Sequence, residues 1–284
     1  MFATLSRSWK YAVASYGMVW RHKQLMAFPI LSGIAALLVL ASFAVPLHAT
    51  GLFTETAEGG SEAIEPWAWV VLFIFYLVNT FIIVFFNSAL VVCVMRSLRD
   101  EPVSVGDGLR EAARRWPSIL GWSILSAIVG VVLRALESNQ KVGHFVTMIL
   151  GTAWTALSYF VVPVIVTEQC GPIQALKRST SILKNTWGTA LVGNFSLGLI
   201  QFLIFLPILL IAIGLIALGV FSDSTAVLLA CIVIVAIMVL AFIAISTAAG
   251  TVYKAFLFTY ATGQSLPATV QDLDLEHAFR PERE

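Results

Sequence analysis

Six apolar runs, at about 25–45, 67–95, 117–134, 144–167, 188–220 and 225–253, carry almost no charge and leave this chain little freedom in how it can fold. A stretch of about twenty apolar residues crosses the roughly 30 Å hydrocarbon core of a bilayer as a helix. In lipid every backbone N–H and C=O must be satisfied inside the protein, and a helix satisfies its own. The chain therefore reads as all-α, a polytopic membrane helix bundle. Composition agrees, with 59% hydrophobic and 12% charged residues against roughly 45–50% and 25% in soluble domains. On this reading residues 1–265 form one integral membrane domain. Residues 266–284, with Pro267, Pro281 and alternating acids, form a flexible cytoplasmic tail.

Charge gives the runs a direction. With a cytoplasmic amino terminus and six spans, every one of the seventeen lysines and arginines except Arg134 and Lys141 falls in a cytoplasmic segment or at its edge. Residues 46–66 carry Glu55, Glu58, Glu62 and Glu65 and no lysine or arginine, as a non-cytoplasmic loop does. The expected location is the cell (plasma) membrane, multi-pass, with both termini cytoplasmic.

The basic residues are also patterned. After Gly171, Pro172 suits a first helical position. A helix from there puts Ile173, Leu176, Thr180, Leu183 and Trp187 on one face and Gln174, Lys177, Arg178, Ser181, Lys184 and Asn185 on the other. Two looser copies precede it. Residues 1–24 align Phe2, Leu5, Trp9, Ala12, Val13, Tyr16 and Trp20, with Arg7 and Lys10 off that face. The interval before the third run has Ser104 and Asp107 spaced as a helix start, then Leu109, Ala112, Ala113 and Trp116 among Arg110, Arg114 and Arg115. Each copy ends near a tryptophan and is followed by two spans. The expected arrangement is six transmembrane helices as three hairpins, each preceded by a cytoplasmic amphipathic interfacial helix. Periodicity leaves open whether lipid or the protein's own bundle covers the apolar faces.

Candidate contacts with lipid or the interface are Trp20, Arg114, Arg115, Trp116, Lys177, Arg178, Lys184 and Trp187. Arg134 and Glu137, three apart, form a possible intramembrane polar pair, or Arg134 snorkels to the far interface. Asn79, Asn87, Asn194 and Gln201 either join helices or line a path. Pro207, with glycines at 193, 198, 214 and 219, suggests a kinked or interrupted fifth span. Cys93, Cys170 and Cys231 have no paired spacing, and the four histidines are scattered. No catalytic residue, metal site or cofactor is expected, and no nucleic-acid partner. The expected function is non-enzymatic: a lipid-associated membrane module, its partners anionic membrane lipids and a possible protein at the cytoplasmic face. A transporter or lipid translocator is the alternative, and an intramembrane enzyme stands behind both.

The segments VGVVLRALES (residues 129–138) and GTAWTALSYFVVPVIVTEQCGPIQALKRSTSILKNTWGTALVG (151–193) carry a resemblance. Their Trp154, Pro163, Glu168, Gly171, Pro172, Ala175, Lys177, Arg178, Ser179, Trp187 and Gly188 resemble an uncharacterised family of prokaryotic six-span membrane proteins. In layout the chain is also similar to the membrane domain preceding some glycerophosphodiester phosphodiesterases. The resemblance implies fold and location over about residues 1–265, and no activity. The tail after Gln264 is too short for the soluble catalytic domain found beside those relatives.

Overall fold

The computed structural model describes the backbone of residues 2–49, 66–137, 143–222 and 224–263. Side chains are described for 9, 11–44, 70–137, 145–184, 196–222 and 224–263. Most of the acidic interval, at 50–65, and the tail from 264 lie outside them.

The described residues are helical and contain no strand. In chain order, α1 is Phe2–Arg21, then a 3-10 turn Lys23–Met26, α2 Ala27–Ala49 and α3 Pro66–Ser97. Next come α4 Val105–Arg114, α5 Trp116–Glu137, α6 Gly143–Leu157 and α7 Val161–Glu168. The last two are α8 Pro172–Phe221 and α9 Thr225–Ala261. Among the described residues, six stretches are long and apolar enough to cross a membrane: Lys23–Ala44, Val70–Ser97, Trp116–Glu137, Phe145–Glu168, Ser196–Phe221 and Thr225–Ala261.

Three boundaries differ from the sequence expectation, each for a local reason. The fourth span is interrupted at residues 158–160, between α6 and α7. Pro163 has no N–H to give the carbonyl of Tyr159, and its ring crowds that carbonyl, so the helix restarts there. The basic segment and the fifth span, expected as two elements, are one 50-residue helix, α8. Gly188 costs only about 1 kcal/mol in a helix interior, too little to break it, and Pro207 lies within the helix. Finally, α9 continues past the expected end of the sixth span at 253 to Ala261, and Lys254 lies inside the helix between buried Tyr253 and Ala255.

Packing divides the chain into two compact units. The first comprises Met1–Ile30, Cys93–Val105 and Lys184–Glu284. There α1 lies along α9, and the 3-10 turn touches both. The buried side of α1 is Tyr11, Ala12, Ser15, Tyr16 and Val19, while Trp9, Val13 and Trp20 of the expected apolar face are exposed. The side chains of Phe2 and Leu5 lie outside the described residues. Close approach selects small residues, and Ala12 and Ser15 meet that need where tryptophan cannot. The buried part of α9 is likewise rich in alanine, with Ala248, Ala249 and Ala255 fully covered.

Also in this unit, α8 and α9 run antiparallel in one register. Gly219 faces Leu228, the rings of Phe205 and Phe242 meet at 5.5 Å, Gln201 Nε2 donates to the carbonyl of Ser246 at 3.4 Å, and Leu197 faces Gly250. Each step back along α8 is matched by an equal step forward along α9.

The second unit comprises Leu31–Val92 and Gly106–Leu183. Phe43 on α2 meets Phe75 on α3 edge-on at 5.5 Å. Gly130 of α5 lies against Tyr76 of α3, and Gly151 of α6 against Leu133 of α5. Trp122 and Trp154 stack between α5 and α6, 5.5 Å apart and 11° from parallel.

Candidate functional site

Within the second unit, the turns from α4 to α5 and from α7 to α8 hold most of the candidate residues. Left-handed Gln169, with φ of 52°, terminates α7. Gly171 lies in the break and serves as the cap of the next helix, its carbonyl accepting from Ala175 N at 2.9 Å. Pro172 opens α8, as expected of a residue with no N–H to lose. Gly121 of α5 admits this start closely: a Cβ there would lie 3.1 Å from Pro172 Cγ.

The interruption in the fourth span frees backbone groups, and α8 supplies their partner. Ser179 Oγ donates to the carbonyl of Leu157 at 2.7 Å and accepts from Phe160 N at 3.0 Å. This fixes which side of α8 turns inward. Ala175, Ser179, Ile182 and Leu183 are buried, whereas Ile173 is 64% exposed and Leu176 and Thr180 are intermediate. The buried stripe is thus rotated by roughly a quarter turn from the expected one, at about 100° per residue. The reason is the hydrogen bond, which hydrophobicity does not rank. Ile173 is left outside, one turn before exposed Lys177, and Arg178 and Lys184 further along the helix are exposed too. Trp187 belongs to the same helix, but its side chain lies outside the described residues.

Arg114 and Arg115 are adjacent in sequence and differ in role. Arg114 is 71% exposed, with Glu111 at 3.4 Å. Arg115, 14% exposed, donates through Nη2 and Nε to Glu111 Oε1 at 2.8 and 3.3 Å, and through Nη1 to the carbonyl of Ile165 at 3.1 Å. That carbonyl is in the last turn of α7, where a helix leaves acceptors unfilled and favours a cation. Arg115 therefore caps α7, a role for which sequence spacing gives no signal. Hydrogen bonding from Arg115, opposed by partial burial, holds the Glu111 carboxyl below its ordinary range.

Glu168, at the carboxyl end of α7, pairs with Arg178 Nε at 2.9 Å, and both side chains are partly open. Burial and then the Glu168 charge push the Cys170 thiol above its ordinary range. Trp116, at the start of α5, is 55% exposed, and in the first unit Trp20, beside exposed Arg21, is 58% exposed.

Arg134 and Glu137 do pair, at 2.9 Å on the last turn of α5, with both side chains substantially exposed. Asn79 donates to Phe75 of its own helix at 3.0 Å. Of the polar residues considered for a path, Gln201 joins two helices, and the side chain of Asn194 lies outside the described residues.

The model of one protein family, described as a family of unknown function (DUF6159), matches residues 67–266. No curated protein matches the chain.

Proposed function

Since the chain belongs to the DUF6159 family, which carries no assigned activity, we propose from its own residues that it is a non-enzymatic integral membrane module that holds anionic lipid headgroups at its basic junctions. The observation that carries this is exposed Ile173 one turn before exposed Lys177 at the start of α8, with Arg178 exposed after it. Trp116 with Arg114, and Trp20 with Arg21, repeat the combination. Water disfavours the exposed apolar side chains, whereas the headgroup layer offers acyl chain to them and phosphate to the cations.

The distribution of lysine and arginine supports a cytoplasmic placement for all three junctions and both termini in the plasma membrane. A collar of interfacial helices around three hairpins, presenting a cytoplasmic surface to a protein partner, completes the proposal. An interrupted helix is a device that transporters use to expose backbone. Here Ser179 takes up the hydrogen bonding of Leu157 and Phe160, which favours a holding role over a transport path.

The test is native mass spectrometry of the full chain with mixed lipids. Replacing Lys177, Arg178 and Lys184 by glutamine should cost about fivefold in retained acidic lipid per cation engaged, at about 1 kcal/mol each. Unchanged retention would overturn the proposal.

A further inference from the structure

Glu168 lies within reach of the exposed cations at the start of α8 and occupies Arg178 at 2.9 Å. It also sits in the last turn of α7, where the helix dipole disfavours a carboxylate. It therefore needs Arg178 in its own right. Lys177, the residue before, is exposed, and Lys184 follows it two turns along the same side of the helix. A headgroup that engages this junction must compete for Arg178 with an acid already tethered beside it.

Resting on the reading above, we infer that Glu168 is a specificity-determining residue: as a built-in competitor for Arg178, it makes the junction select phosphate-monoester headgroups over phosphodiesters. A phosphodiester brings one negative charge, no more than Glu168 itself. A phosphate monoester brings about 1.5 to 2 charges near neutral pH and three acceptor oxygens. It outbids the carboxylate for Arg178 and still reaches Lys177. The committed occupant is a bilayer lipid with a terminal phosphate.

The experiment uses the full chain in nanodiscs of phosphatidylcholine doped with equal fractions of phosphatidic acid and phosphatidylglycerol, with retained lipid counted by mass spectrometry. The wild type should retain phosphatidic acid about fivefold over phosphatidylglycerol, the scale of one additional cation contact. Glu168→Gln should bring the two close to parity by raising phosphatidylglycerol, and Glu168→Ala should do the same if the glutamine variant melts early. Arg178→Gln should lower phosphatidic acid. A wild-type preference that survives both Glu168 variants overturns the inference and leaves the lipid-holding reading intact. Failure of the wild type to enrich either lipid overturns that reading instead. Release of bound phosphatidic acid by millimolar inorganic phosphate would assign the site to free phosphate and overturn the choice of a bilayer lipid.

Discussion

Ser179 donates its hydroxyl to the carbonyl of Leu157 at 2.7 Å, reaching from the second turn of α8 to the end of α6. The same oxygen accepts from Phe160 N on the other side of the interruption. One small polar side chain thus joins the broken fourth span to the basic segment and decides which face of that segment is exposed.

Ser179→Ala should lower stability by about 1–3 kcal/mol, the cost of leaving buried backbone groups without partners. Pro163→Ala restores an N–H that can reach Tyr159 and lets the helix close. In the Pro163→Ala background the Ser179→Ala penalty should shrink. A double-mutant cycle of thermal unfolding in detergent checks this, and strict additivity would contradict the bridging role.

Arg115 and Glu111 make stability depend on pH. The folded pKa of Glu111 is depressed, so its contribution is present above the unfolded value of about 4.3 and is lost as pH falls through the lower folded value. Acid melts of the wild type should therefore steepen below about pH 4, and Glu111→Gln should flatten that limb. Arg115→Gln should cost about 1.5–3 kcal/mol, the range for hydrogen bonds to charged groups. By contrast, Arg114→Gln, at a 71% exposed side chain, should leave the melting temperature nearly unchanged.

Gly219 sets how closely α8 approaches α9 in the last turn of α8. A Cβ there would lie 3.0 Å from Leu228 Cα, a backbone atom that cannot swing aside. Gly219→Ala should destabilise by about 1–3 kcal/mol, as overpacking does. Gly214, with nothing within 4 Å of an added Cβ, is the control, and Gly214→Ala should be neutral or slightly stabilising. Thermal melts of the two variants separate steric crowding from a general intolerance of alanine in this helix.

The apolar runs made the helical class and the six long helices legible, because length and hydropathy alone decide them. Pro172 was legible too, since proline has a defined place at a helix start. The rotation of the buried faces was not. Amphipathic ranking puts Ile173 on the apolar face and leaves Ser15, Ala175 and Ser179 off it, whereas close packing and hydrogen bonding buried those three and left Ile173 exposed. Arg115 and Arg114 look alike in sequence, and only the fold shows that Arg115 has a helix end to cap. Pro163 was visible as a residue, but the interruption it causes depends on a serine sixteen positions later being able to mend it.

The central claim is that the start of α8 lies in the headgroup layer with Ile173 toward the acyl chains and Lys177 toward phosphate. Nitroxide labels at 173 and 177, each in a Cys170→Ala background, can be read in anionic bilayers by their relaxation with oxygen and with an aqueous nickel chelate. The account predicts that the label at 173 responds chiefly to oxygen, at the boundary of headgroups and acyl chains, while the label at 177 responds to the chelate. Equal and full accessibility of both labels to the chelate, as for a helix standing in water, would contradict it.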